Sequence, residues 1–202
     1  ELGWREADYP DEQQIEKKTT GWHNYRKGLE AYRQRLEGIR VIDPACGSGA
    51  FLIQSLEFLL AERKRIADLY ARLTRQADAF DADETVRAIL SQNIFGVDIN
   101  PESVEITKLA LWLHTAVPGA PLTSLDDNIR CGNSLIGPEI YQWRKDLLSE
   151  LDEDAQERIN AFDWQAAFPA VFAQGGFDCV VGNPPYVKLQ HFRSVESHAA
   201  DF

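Results

Sequence analysis

The sequence predicts an α/β fold built on a parallel sheet, and three observations predict it. The apolar run Ile39-Arg40-Val41-Ile42 passes into Asp43-Pro44-Ala45-Cys46-Gly47-Ser48-Gly49 and then into a long segment of helical period. Strand, glycine turn and helix in that order open a nucleotide-type α/β domain. A second apolar run, Ile94 to Ile99, carries an acid near its end and is closed by Asn100 and Pro101. A third, Phe177 to Gly182, stops abruptly at Asn183-Pro184-Pro185-Tyr186, because proline cannot donate to a sheet ladder.

The chain of 202 residues, 44% of them hydrophobic, is long enough for one domain with a sizeable core. It carries no run approaching the roughly 18 apolar residues of a membrane span, and its first residues are charged rather than signal-like. Three scattered cysteines suit reduced thiols, so a soluble, cytoplasmic protein is expected. Cys131 and Cys179, in or beside strands, are expected to act as small buried hydrophobes. The net charge of -11 argues against a broad basic face for sequence-independent phosphate binding. The chain starts at Glu1 and contains no methionine, which suggests an excerpt of a longer protein.

Taken in order, residues 1 to 20 are polar and without period, a loosely packed lead-in. Trp22, Tyr25, Leu29, Tyr32 and Leu36 then recur in steps of three and four, which places them on one face of a helix ended by Gly38. After the first strand, Leu52, Leu56, Leu59, Ile66, Tyr70 and Leu73 mark the buried side of a long helix.

The turn between that strand and helix lacks Gly-Lys-Ser/Thr, and Leu52 stands where a dinucleotide fingerprint has its third glycine. Glycines let the backbone approach a ligand, and the helix behind them offers free N–H groups. Without a lysine, and with Asp43 beside it, the turn suits a ligand that carries positive charge.

Residues 76 to 92 read as a loop and a shorter helix started by Asp81 or Asp83. Asp98, at the end of the second strand, is placed to accept hydrogen bonds from two ribose hydroxyls. Its distance from Gly49 exceeds the usual ~20 residues because two helices intervene. Capping the next helix is the other use for Asp98, but Asn100 is better placed for it. The helix from Glu102 to His114 is apolar nearly all round and is expected to be buried on more than one side, with Trp112 and His114 as core and cap.

Asn128 to Ile136 forms a third short strand, which sets Asn133 beside Asp98, where it can read the edge of a base. From Gly137 to Gly175 the chain is acidic and helical, with Leu147, Leu148, Leu151 and Ile159 as buried positions and no metal constellation. Trp164, Phe168 and Phe172 anchor the approach to the last strand.

Two prolines leave the backbone of Asn183 to Tyr186 with carbonyl acceptors, and the Asn183 carboxamide adds one more. Such a site holds an N–H donor group, and Tyr186 offers a flat face for a planar ring. A proline turn with a capping asparagine is the plainer reading of these four residues. His191 and His198 have no role legible in the sequence.

Asp-Pro-Ala-Cys-Gly-Ser-Gly-Ala-Phe-Leu at 43 to 52, together with Asn-Pro-Pro-Tyr at 183 to 186, resembles S-adenosylmethionine-dependent DNA amino-methyltransferases of the N6-adenine type. Phe162-Asp163-Trp164 and Gly176-Phe177-Asp178 further resemble the methyltransferase part of type II enzymes that fuse restriction and modification. The resemblance spans about residues 20 to 190. It implies a Rossmann-like, doubly wound methyltransferase sheet, truncated here, with residues 1–38 as lead-in and packing helix, 39–190 as a partial catalytic core and 191–202 as the start of the next segment.

On this resemblance Asp43, Ala45, Gly47 and Gly49 line the methionine part of S-adenosylmethionine. Asp98 holds the ribose hydroxyls, Ile99 packs on the adenine and Asn133, often Asp in the family, bonds its edge. Asn183 and the Pro184 carbonyl, ahead of Pro185, accept the two hydrogens of an exocyclic amine, and Tyr186 stacks on a flipped base. The implied partner is double-stranded DNA, read by a recognition domain expected after residue 202.

The Phe/Tyr-Thr-Pro segment that usually precedes the glycine turn in this family is missing, as are later strands. This excerpt is therefore expected to bind cofactor weakly and to be inactive alone. Alternatives are N4-cytosine methylation, protein-glutamine or RNA methylation, and a noncatalytic DNA-binding module.

Overall fold

The computed structural model describes residues 19–75, 80–116, 122–140 and 159–183. Four short strands, β1 (Val41–Asp43), β2 (Ile94–Asp98), β3 (Ile129–Cys131) and β4 (Cys179–Val180), form one sheet in the order β3-β2-β1-β4. Every pairing is parallel: Val41 lies opposite Ile94 and Cys179, and Asp98 opposite Cys131. The chain runs outward from β1 through β2 to β3, then returns to the other side of β1. That reversal makes the carboxyl ends of β1 and β4 a switch point, where α/β sheets open a crevice.

Helix α1 (Thr20–Gly38) starts at Thr19, whose side chain accepts from the Trp22 N–H, and buries Tyr25, Leu29 and Leu36 on the predicted face. Its end is fixed by Asn93, a fully buried amide whose Nδ2 donates to the carbonyls of Leu36, Glu37 and Ile39. Ile39 belongs to that helix end, its N–H donating to Arg35 O at 3.0 Å. The first strand therefore begins at Val41, later than Ile39, and takes in Asp43, which pairs with Gly96.

Helix α2 (Ala50–Thr74) buries Leu52, Leu56, Leu59, Ile66, Leu69 and Leu73, while the predicted Tyr70 is half-buried. It sits close to the sheet because Gly96 has no side chain: a Cβ there would lie 2.9 Å from Leu52 Cδ1. Helix α3 (Ala82–Gln92) is capped by Asp81, which accepts from the Glu84 N–H. Helix α4 (Pro101–Thr115) is capped by Asn100, which accepts from the N–H groups of Glu102 and Ser103. Two single turns, α5 (Trp164–Ala167) and α6 (Pro169–Phe172), precede β4.

Alternation along the strands splits the core between the two faces of the sheet. Ile94 and Ile129 join the buried residues of α1 to α4 on one face. Ile42, Phe95 and Val97 join Phe162, Phe168 and Val171 on the other, with Trp164 and Phe177 against them. The aromatic anchors predicted before β4 are in place there: Phe177 meets Phe95, Trp164, Phe168 and Phe172 edge-on at 5.4 to 6.1 Å.

Two expectations are overturned. Helix α4 is not buried on several sides: Val104, Thr107, Lys108 and Leu111 face inward, whereas Ile106, Leu109 and Leu113 are 51, 52 and 81% exposed. Only one side of α4 meets the sheet and α2, so its second apolar face remains on the surface. His114, in the last turn of α4, pairs with Glu57 of α2 at 2.9 Å, while Trp112 packs against the core as expected and its indole donates to Thr123 O. Cys131 is exposed and Cys179 half-buried, because each sits at a strand end or sheet edge, and Cys46 is the buried thiol. All three cysteines are free.

No helix of the described residues is long and apolar enough to cross a membrane, and no group among them could hold a metal ion. Leu147, Leu148, Leu151, His191 and His198 lie outside the described residues.

Candidate functional site

The carboxyl ends of β1, β2 and β3 bring together the predicted cofactor residues Asp43, Ala45, Gly47, Gly49, Asp98, Ile99 and Asn133. Asp43 closes β1 and is 1% exposed; its Oδ1 accepts from the Ala45 N–H at 3.0 Å, which bends the chain into the turn. Burial raises the Asp43 carboxyl above the usual carboxylate range, the Ala45 N–H opposes that, and the charge of Asp98 adds to it. Cys46 is buried under the turn, and burial pushes its thiol up to about 12. It stays protonated at neutral pH and acts as a packing group.

The two glycines serve different ends. Both have positive φ, 53° at Gly47 and 81° at Gly49. A Cβ on Gly47 would meet nothing within 4 Å, whereas one on Gly49 would come within 3.0 Å of Thr107 Cγ2. Gly49 thus lets α2 pack on α4, while Gly47 leaves open space above the turn. Gly49 is the N-cap of α2 and provides no side-chain cap, and the first turn holds no acid. The first N–H groups of that helix face the turn with their partial positive charge.

Asp98 is tied to the turn directly. Its Oδ2 accepts from the Gly47 N–H at 2.8 Å and its Oδ1 from the Asn100 N–H at 2.9 Å. A carboxylate has about four lone-pair sites, so each oxygen keeps acceptor capacity for a further donor. Ile99, next in the chain, is 50% exposed. Asn133 stands two residues beyond the Asp98–Cys131 pair, past the end of β3, and is half-buried. It bridges to Ala161 rather than extending the strand, and its Oδ1 accepts from the Leu135 N–H at 3.1 Å. Its loop is strapped from the other side by Trp164, whose indole donates to Ser134 O, and by the Phe162 N–H, which donates to Ile136 O.

β4 delivers Asn183 to the same edge. Arg40 fastens its start, its carbonyl accepting from the N–H groups of Asp178 and Cys179, and the Val181 N–H donates to Ile42 O. At Gly182 the backbone runs so close to the glycine turn that a Cβ would lie 2.7 Å from Asp43 Oδ1. Asn183 is next, and exposed; Pro184, Pro185 and Tyr186 lie outside the described residues. A cavity of about 820 Å³ opens at the opposite, amino-terminal end of the sheet, between Arg40, Phe95, Arg130 and Phe168, and none of the described site residues lines it.

Sequence reasoning missed Thr107. It is fully buried, and its Oγ1 donates to Gly47 O at 2.8 Å. A hydroxyl on the inward stripe of Val104, Lys108 and Leu111 was the signal available.

The family model for the Eco57I restriction-modification methylase matches residues 92–201, more than half of the chain. A protein of Methanocaldococcus jannaschii named as a type II restriction enzyme and methyltransferase is 40% identical over 132 residues, 61% of this chain and 10% of that protein. The adenine-specific methyltransferase PglX of Streptomyces coelicolor is 30% identical over 166 residues, 76% of this chain and 13% of that protein. The type II restriction enzyme and methyltransferase RM.Eco57I of Escherichia coli is 28% identical over 175 residues, 79% of this chain and 16% of that protein. The chain thus spans a small part of the length of these relatives, and no solved structure matches it. On the family match and the parallel sheet beneath it, the chain belongs to the Eco57I restriction-modification methylase family.

Proposed function

We propose that this chain is the methyl-donor-binding part and the amine-gripping element of a DNA methyltransferase that modifies the N6 amine of adenine. The observation that carries the reading is the approach of Gly182 to Asp43 Oδ1, which sets Asn183 next to the glycine turn at the switch point of the sheet. Supporting it are the family, the adenine-specific relatives and the acid at the end of β2.

S-adenosylmethionine, when bound, supplies an electrophilic methyl group on a sulfonium centre. The chain's residues fit it in charge and shape. The turn holds no lysine, Asp43 sits at its base, the space over Gly47 is open, and Asp98 keeps acceptor capacity beside the half-exposed Ile99. In this assignment Asp43, Ala45, Gly47 and Gly49 border the methionine part. Asp98 holds the ribose hydroxyls, Ile99 covers a face of the adenine, and Asn133 meets its edge.

Asn183 and the Pro184 carbonyl accept the two hydrogens of the target amine. Those bonds draw the nitrogen lone pair out of ring conjugation and orient it, so that no strong base is required. Tyr186 stacks on the flipped base. Residues 39–190 are then the core, 1–38 its lead-in and packing helix, and 191–202 the start of the next segment. Double-stranded DNA is the partner, read by a domain outside this chain, and the enzyme works in the cytoplasm.

The test is the full-length protein with labelled S-adenosylmethionine and duplex DNA, the product base identified by mass spectrometry. N6-methyladenine is expected. N4-methylcytosine, or labelled protein glutamine with unlabelled DNA, refutes the reading.

A further inference from the structure

Gly47 is held at both of its hydrogen-bonding groups. Its N–H donates to Asp98 Oδ2 at 2.8 Å, and its carbonyl accepts from Thr107 Oγ1 at 2.8 Å. Between these two bonds the residue keeps a φ of 53°, which few L residues adopt. The Thr107 hydroxyl has one proton to give; Gly47 O at 2.8 Å is the stronger acceptor for it, and Cys46 Sγ at 3.7 Å, within reach for sulfur, is the weak one. A hydroxyl taken wholly into an apolar helix face is costly unless it is bonded, so this bond explains why threonine is tolerated there. The same side chain is the nearest neighbour of Gly49, so it touches both glycines of the turn.

We propose that Thr107 is a positioning residue for methyl-donor binding, its hydroxyl locking the Gly47 carbonyl so that the turn and Asp98 are set before the cofactor arrives. The inference rests on the function proposed above. With the bond in place, binding does not have to order the turn, and the entropic cost of that ordering is removed from the affinity. Without it, the Gly47 carbonyl rotates away, its N–H leaves Asp98, and the acid loses the contact that aims it.

The experiment is calorimetric titration of the full-length protein with S-adenosylmethionine, comparing Thr107→Val, Thr107→Ser and Thr107→Ala. Valine keeps the shape and loses the hydroxyl; serine keeps the hydroxyl and loses the methyl group. The expected result is a roughly five- to tenfold weaker Kd for Thr107→Val and a Kd within about twofold of wild type for Thr107→Ser. In steady state KM for the cofactor rises with kcat little changed. If Thr107→Val does not fold, the serine and alanine variants differ only in the hydroxyl and must show the same gap. Equal affinities for hydroxyl-bearing and hydroxyl-free variants overturn the proposal. So does equal loss in all three, which marks a packing role. Wild type that fails to bind S-adenosylmethionine refutes the cofactor reading itself, and the inference with it.

Discussion

Alanine at Gly47 and alanine at Gly49 are expected to damage the protein in opposite ways. Both residues have positive φ, where an L side chain costs about 1–2 kcal/mol. At Gly47 the added Cβ meets nothing within 4 Å, so the backbone term is the whole stability cost. At Gly49 it lies 3.0 Å from Thr107 Cγ2, 3.3 Å from Oγ1 and 3.4 Å from the backbone Cα. Thr107 is fully buried and cannot turn away without moving α4, so overpacking adds about 1–3 kcal/mol. Gly49→Ala should therefore unfold this unit at clearly lower urea than Gly47→Ala, by about 1 M for a typical slope. Affinity for S-adenosylmethionine should rank the other way, because the Cβ at Gly47 stands in the open space over the turn. Hydrogen exchange of α2 and α4 peptides across a urea series in the full-length protein reads the stability of this unit, and calorimetry reads the affinity. Equal destabilisation by the two substitutions refutes the packing argument. So does an excess cost of Gly49→Ala that survives undiminished in a Thr107→Ala background, where the two closest atoms, Cγ2 and Oγ1, are gone.

Asp43→Asn should stabilise the protein at neutral pH while weakening the binding of a cationic cofactor. Burial raises the Asp43 carboxyl, so its ionisation opposes folding. That cost is absent below the unfolded value near ~3.9 and complete above the raised folded one. Melting temperatures of the two proteins should coincide near pH 3 and separate in favour of asparagine by pH 7; the reverse order at pH 7 contradicts the assignment. Asp98→Asn leaves one carbonyl oxygen for the N–H groups of Gly47 and Asn100 and removes the charge. Cofactor affinity should fall by about 2 kcal/mol, roughly thirtyfold, in the same titration. Asn183→Ala should abolish transfer to DNA with cofactor affinity within about twofold of wild type; parallel loss of both reassigns Asn183 to the cofactor side.

The parts of the fold legible in the sequence are those held by local interactions. Asn100 and Asp81 mark helix starts through bonds to residues within a few positions, and both helices begin where those signals place them. The turn from Asp43 to Gly49 is likewise written in consecutive residues, because the Ala45 N–H and the two positive φ values are local needs. The ends of β1 and β3 were less legible, since a ladder stops where its partner stops. Residue 39 is claimed by Asn93 across 54 positions, and residue 133 by Ala161.

Periodicity reports which faces of a helix are apolar, and burial depends on what meets them. On α4 the stripe of Ile106, Leu109 and Leu113 is as apolar as the opposite side, yet only the side of Val104, Thr107 and Leu111 meets the sheet and α2. The consequence reaches the site. Reading α4 as uniformly apolar hides the one inward residue with a hydroxyl, although a polar group on a buried stripe must find a partner. The partner of Thr107 lies 60 positions back, at Gly47. Asp98 reaches the same residue across 51 positions. The glycine turn is therefore local in its conformation and nonlocal in what holds it: the acid that ends β2 and the helix after it bond the two polar groups of Gly47.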